Sequence, residues 1–350
     1  MKNIKIYTVI GVLLISSGLF TACDTEFENP NNPTEDVVLG TKGGLFALAT
    51  GIRQYYSVVA LRQIIEAPGI TTRELGVTNT FLNINELAKG GAELPNESGG
   101  ITNPWVNIIR AKGMAESLIE GANIVELSAG TKSGLLAYGN LFKAMCLGSL
   151  IEMFEQVPIN NSADGAAPFS DRATVLSHCI TLLEEARDVL SSSPMSDEFK
   201  STVLWSDISL KKTVNAFLSR YQLMAGNYDE AITAANAVLS DSDATNSMWI
   251  YDANNQNPIW NRTVNSADLN PQTNFGLLGD YIPEAGDGRV DFYLGADAGF
   301  ANADAGGQAL SEMLGFFGTN TSSIPMYLPG EMVLIKAEAY ARLNQLDNAV

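Results

Sequence analysis

Residues 211–240 constrain the fold more than any other segment. Val214, Phe217, Leu218, Tyr221 and Met224 recur at helical spacing and make one apolar stripe. Gly226-Asn227-Tyr228-Asp229-Glu230-Ala231 then breaks and restarts the helix, and Ile232, Ala235, Val238 and Leu239 make a second stripe. Two amphipathic helices joined by so short a turn must fold back on each other, and the small Ala231 allows their close approach. The phrase recurs: Ala225-Gly226-Asn227-Tyr228-Asp229-Glu230-Ala231-Ile232 is echoed by Leu343-Asn344-Gln345-Leu346-Asp347-Asn348-Ala349-Val350. A helix pair used twice predicts a stacked helical architecture.

The turn Gly-x-Tyr-x-x-Ala between two helices resembles the tetratricopeptide repeat, although Ser219 and Gln222 depart from the usual first-helix preferences. Helical periodicity extends further. Tyr138, Leu141, Phe142, Met145, Cys146, Leu150 and Met153 keep one helix face, and Val175, Cys179, Leu182, Leu183, Ala186, Val189 and Leu190 another. Asp171-Arg172-Ala173-Thr174 supplies capping chemistry for the latter helix, and Ser193-Pro194 ends it. Further helices are expected over 43–65, 105–126 and 331–343. The predicted class is mostly α: a superhelix of tetratricopeptide-type helix pairs over 106–240 and 330–350, within one domain spanning 41–350. The second copy of the phrase has its first helix and no partner helix, so an exposed apolar face over 331–350 and a C-terminally truncated chain are expected.

Two stretches lose periodicity and read as irregular loop regions, 66–104 and 241–329. Both are rich in Asn and Gly, and the second carries Trp249, Tyr251, Trp260, Phe275, Tyr281, Phe292 and Tyr293. Loop aromatics either anchor the loop to the scaffold or recognise a ligand. Stacking on the C–H face of a sugar needs such rings, flanked by amides, carboxylates or Arg. The candidate binding residues are Trp249, Tyr251 and Trp260 in the late loops and Arg73 and Phe81 in the early ones. Trp205 is expected to pack against the helix over 211–225.

The N-terminus reads as an export signal over residues 1–22: a cationic start with Lys2 and Lys5, an apolar stretch from Ile6 to Phe20, then Thr21-Ala22-Cys23. Small residues before a cysteine fit a lipoprotein signal, with Cys23 acylated and the new N-terminus; an ordinary cleaved signal with an incidental cysteine and a permanent transmembrane anchor are the other readings. Residues 23–40 form the acylated cysteine and a Pro-broken tether containing Asn29-Pro30-Asn31-Asn32-Pro33. Downstream, no apolar run is read as a membrane span, so membrane attachment is by lipid anchor only.

Composition narrows the chemistry. The 350 residues are 46% hydrophobic and 17% charged, enough for a sizeable core, and carry a net charge of −18. Such an excess of acid disfavours nucleic acid as a partner. His178 is the single histidine and reads as a solvated helix residue, so two-histidine metal sites are excluded. Cys146 and Cys179 read as buried free thiols rather than a disulfide. Asp241, Asp243 and Asp252 imitate part of a calcium loop, but Asn246 stands where the turn wants Gly. No catalytic residue, metal or cofactor is expected.

Several phrases together resemble the SusD/RagB family of nutrient-binding outer-membrane lipoproteins. Tyr138-Gly139-Asn140-Leu141-Phe142-Lys143-Ala144-Met145 leads to Glu152-Met153-Phe154-Glu155-Gln156-Val157-Pro158-Ile159, which is similar to the family's helix ending in a Phe-Gly-x-Val-Pro corner. Trp105 with Asn107-Ile108-Ile109, Arg172, and Glu331-Met332-Val333-Leu334-Ile335-Lys336-Ala337-Glu338-Ala339-Tyr340-Ala341-Arg342 are also similar. The resemblance implies a non-enzymatic protein, lipid-anchored in the outer membrane and facing the exterior. It implies a partner, a TonB-dependent transporter barrel of the SusC type, which the protein caps while it binds oligosaccharide or, in some branches, peptide. A helical-repeat envelope module without nutrient binding and a secreted glycosidase are the alternatives.

Overall fold

The computed structural model describes residues 39–240 and 246–349. Cys23 and the signal segment lie outside the described residues, as do Asp241 and Asp243.

The first helical run combines α1 (Lys42–Tyr55), a π-helical turn over Tyr56–Ala60 and α2 (Leu61–Thr71) without a break. Thr41 caps its start, accepting from the Gly44 amide at 3.1 Å. The run continues past the expected end at residue 65 even though Pro68 lies inside it. It closes where the Thr71 hydroxyl donates to the Ala67 carbonyl at 3.1 Å and the Thr72 hydroxyl to the Pro68 carbonyl at 2.9 Å. After β1 (Leu75–Val77) and α3 (Leu82–Lys89), the long helices α4 (Gly99–Ile124) and α5 (Ala129–Met153) follow. The stretch 66–104 is therefore less irregular than expected: the end of α2, β1, α3 and the start of α4 fall within it.

The scaffold continues with β2 (Gln156–Pro158), β3 (Phe169–Asp171), α6 (Arg172–Ser192), α7 (Asp197–Val203), α8 (Leu210–Ala225) and α9 (Tyr228–Leu239). Asp171 caps α6 as its sequence suggests, accepting from the Thr174 amide at 2.8 Å. Helix α4 packs on α5, α5 on α6, α6 on α8, and α8 on α9. Helix α5 is the centre of this stack, buried on almost every side. By length and apolarity it would also suit a membrane span, contrary to the sequence reading, yet 89% of its apolar window is covered by the surrounding helices.

The α8–α9 pair forms as the repeat phrase predicts. Gly226 adopts the left-handed conformation (φ 79°) that ends α8, and Ala231 is fully buried at the crossing. The two atypical residues have local work. Ser219 donates to the Ala231 carbonyl across the pair at 2.9 Å, and the Gln222 side chain accepts from Asn227 at 2.7 Å.

The late region adds β4 (Met248–Trp249), a one-turn helix α10 (Pro258–Trp260), β5 (Leu269–Pro271), α11 (Gly288–Tyr293), β6 (Leu294–Phe300), β7 (Ala309–Met313), β8 (Ile324–Pro325) and α12 (Pro329–Arg342). Its strands pair antiparallel, β1 with β5, β4 with β8 and β6 with β7, so the late loops are stitched to the early ones. Helix α12 packs on α9 through Met332, Ile335 and Ala339. Val333 and Leu334 on its other side are 55% and 71% exposed.

Candidate functional site

The loops above the scaffold enclose a cleft of about 440 Å³. One wall is α2, which contributes Ile65 and Gly69, followed by Glu74 and Leu75. The facing wall comes from residues 271–317. Pairing of Leu75 with Pro271 holds the two walls in register.

The ring-bearing wall depends on unusual backbone. Asn274, Phe275 and Gly276 are consecutive left-handed residues, with φ of 59°, 57° and 70°. This conformation costs a residue with a side chain about 1–2 kcal/mol. Gly276 cannot be replaced without movement: a Cβ there would lie 2.2 Å from the Arg73 carbonyl oxygen. The close approach turns Phe275 into the cleft, where its ring meets Tyr293 edge-on at 6.2 Å. Phe292 and Phe316 extend the cluster, with ring centroids 5.2 Å apart, and Phe317 lines the cleft itself. Tyr281 stands at the mouth with 79% of its surface exposed.

Charged groups are few: Glu74 on the α2 wall, Asp287 and Arg289 on the facing one. Asp287 caps α11, accepting from the Arg289 amide at 3.0 Å, and holds the Arg289 guanidinium through its Nη2 at 2.6 Å. The Arg289 hydrogen bonds push the Asp287 carboxyl down to about 2. Burial, reinforced by the negative charge of Glu74, raises the Tyr293 hydroxyl above its ordinary value, so it stays a neutral donor. The remaining walls are aliphatic, with Leu277, Leu294 and Met313 among them. The cleft is thus built to cover an apolar or ring-shaped surface and to fix it with a small number of polar contacts.

The residues singled out from the sequence fall elsewhere. Trp249 is a correction: it is 2% exposed, stacked on Trp205 at 5.5 Å and 20°, with Tyr56 at 5.4 Å and Phe142 at 5.9 Å. Both of its faces are used inside the protein, because the β4–β8 pairing draws it down onto the helices. Tyr251 is likewise buried, its hydroxyl donating to the Ser57 carbonyl at 3.1 Å. Trp260 is half-buried in α10 and does not line the cleft. Arg73 is exposed beside the cleft, and its contribution is the carbonyl against Gly276. Phe81 is 58% exposed but on the opposite side of α2. The structure does not bring these five together.

His178 is also corrected. It is half-buried, its Nε2 has no hydrogen-bond partner, and burial together with the Lys143 and Lys112 charges lowers its pKa. Cys146 and Cys179 are buried free thiols, and burial pushes the Cys179 thiol up to about 12, far from any reactive range. Among the described residues, no group of three or more His, Cys, Asp or Glu is placed to hold a metal ion.

The cleft rings Phe275, Tyr281 and Tyr293 lie among the aromatics of the late region, but their grouping was not legible. Two of the loop aromatics singled out, Trp249 and Tyr251, are held in the core instead. A run such as Asn274-Phe275-Gly276, able to adopt left-handed backbone, and the cap-and-fork pair Asp287/Arg289 were the local signals.

A helical stack joined to loops that are stitched back over it by short antiparallel strands is the arrangement found in a set of solved structures. The fold is SusD-like. A SusD-like carbohydrate binding protein from Bacteroides vulgatus superimposes with a TM-score of 0.63 at 16% identity, over 89% of this chain and 75% of that one. A SusD-like carbohydrate binding protein from Bacteroides fragilis gives 0.60 at 12% identity, over 88% and 75%. A SusD superfamily protein from Bacteroides vulgatus gives 0.63 at 14% identity, over 89% and 78%. No protein-family model and no curated protein matches the sequence. The SusD-like fold therefore stands on architecture.

Proposed function

We propose that this chain is a non-enzymatic, nutrient-binding member of the SusD family that takes up oligosaccharide through the aromatic cleft. The cleft itself carries the reading: rings from Phe275, Tyr281 and Tyr293 beside the Asp287/Arg289 pair suit the alternating C–H faces and hydroxyls of a sugar chain. The carbohydrate-binding description of two structures of the same fold supports it. In this reading Cys23 is acylated, the protein faces the cell exterior at the outer membrane, and it caps a TonB-dependent transporter of the SusC type that receives the ligand.

A peptide ligand is the second reading, favoured by the aliphatic part of the cleft. Ile65, Leu75, Leu294 and Met313 would cover a hydrophobic side chain better than a sugar ring, and Glu74 would meet an amine. Calorimetric titration against a panel of oligosaccharides and a panel of peptides separates the two. Oligosaccharide binding that Tyr281→Ala weakens by about tenfold, equivalent to about 1.4 kcal/mol, is the expected result. Binding of peptides alone would overturn the saccharide reading, and binding of neither would overturn both.

A further inference from the structure

The hairpin β2–β3 leaves the scaffold between α5 and α6, and its connecting loop is fastened from the inside by charge. Lys112, on α4, is fully buried, and its ammonium donates to the Pro158 and Ile159 carbonyls at 3.0 and 3.1 Å. Lys143, on α5, donates to the Asn160 side-chain oxygen at 2.5 Å. One carboxylate serves both cations. Glu116 Oε1 lies 3.3 Å from Lys112 Nζ and 3.1 Å from Lys143 Nζ, while its Oε2 accepts from the Asn161 amide at 3.1 Å. Residues 158–161 are thus held by two cations and one anion, which leaves one positive charge uncompensated.

His178, on α6, stands against this group with its Nε2 buried and without a hydrogen-bond partner. Burial opposes its protonation, and so do Lys143 from α5 and Lys112 from α4; Glu116 alone among the charges acting on it favours the proton. Cys146 and Cys179, the thiols on these helices, are kept neutral by burial. Where α6 meets α8, the Tyr221 hydroxyl acts on Cys179, and burial keeps it un-ionised. Glu185, further along α6, accepts from the Asn140 amide at 3.3 Å. The acidic side chains of the hairpin, Glu155, Asp164 and Asp171, are exposed. A protonated imidazole would therefore be a third cation facing a single carboxylate in a partly closed space.

We propose that this group is an acid-operated latch, in which a proton on His178 releases the segment 159–168 from the scaffold. Lifting the loop admits water to Lys143 and His178, which relieves the repulsion. The helices cannot move apart so readily, since Ala111, Ala115, Ala144 and Cys179 on either side of the group are core residues, whereas 161–166 are exposed. Pro158 pairs with Phe169, whose ring stacks on Trp105 at 5.8 Å and 9°, and this contact bounds the segment that moves. The open form takes the proton as an ordinary histidine does and the closed form resists it. Falling pH thus favours opening by up to about tenfold per pH unit below about 6.5. The latch is independent of what the aromatic cleft binds.

Hydrogen exchange of the full chain, corrected for the intrinsic effect of pH, tests the latch between about pH 7 and about pH 5. The Asn161 amide, bonded to Glu116, is the reporter in peptides spanning 157–168. Their protection should fall by about tenfold on acidification while peptides from α5 keep theirs. His178→Gln should remove this dependence, with His178→Asn as a second neutral variant; a cooperative thermal transition at neutral pH shows that each folds. Protection that does not fall, that falls as much in both variants, or that falls as much along α5 would overturn the proposal.

Discussion

At the scale of the residue, the division of labour among aromatics decides what each mutation should do. Trp249 has its ring enclosed by Trp205, Tyr56 and Phe142, and Trp205 donates to the Met248 carbonyl at 2.6 Å beside it. Removing a ring from such a position leaves a cavity the neighbours cannot fill. Trp249→Ala should cost about 3–5 kcal/mol of stability, read by denaturant unfolding. Tyr281→Ala should leave the unfolding midpoint alone, because its ring is largely in water. A midpoint unaffected by Trp249→Ala would show that the ring is not part of the core. Asn257 has a comparable structural role without a ring. Fully buried, its amide donates to the Phe316 and Ser322 carbonyls at 2.9 and 2.7 Å while its oxygen caps α10, pinning the late loops together.

At the scale of the element, one helix carries a titration that the sequence did not suggest. His178 on α6 faces Lys112 and Glu116 from α4 and Lys143 from α5. Lys112 is fully buried, donating to the Pro158 and Ile159 carbonyls at 3.0 and 3.1 Å, and Lys143 pairs with Glu116 at 3.1 Å. A depressed folded-state pKa means that the unfolded chain binds the proton more readily. The contribution is fully present above the unfolded value of about 6.5 and is lost as pH falls through the folded one. Thermal unfolding between pH 8 and pH 5 should therefore show falling stability that His178→Gln makes shallower; an equal slope in the variant would refute this origin. The same helix shows why some features were legible and others not. The apolar stripe of α6 and the Asp171 cap are local patterns, and both appear where the sequence puts them. The burial of His178 is imposed by neighbouring helices and has no local signal. Likewise α2 outruns its expected end, because tertiary packing of Ala67 and Ile70 outweighs the breaker at Pro68. The repeat phrase was legible because a close crossing needs both Gly226 and Ala231. The cleft was not, because it joins residues 65–75 to residues 271–317.

At the scale of the whole molecule, the proposed surface location rests on one residue, Cys23. Cys23→Ala should abolish labelling by a radioactive fatty acid and release the protein from the membrane fraction, and unchanged attachment would remove the lipoprotein reading. The acidic balance, −18 over 350 residues, fits a surface kept free of polyanions and names no ligand. The described chain divides its two tasks in space: helices α4 to α9 give a rigid stack, while α2 stands between the aromatic cleft and a smaller hollow lined by Arg62, Glu66 and Arg262. That position depends on the π-helical turn over Tyr56–Ala60. One additional residue in a turn advances the phase of everything after it by about 100°. Upstream, Leu45, Ala49 and Ile52 are aimed at the scaffold by ordinary helical geometry; downstream, the azimuth of α2 is reset. A single backbone irregularity thus acts as an angular offset along one helical run: Ala67 and Ile70 anchor α2 in a core cluster of their own, while Ile65 and Glu66 face the hollows on either side.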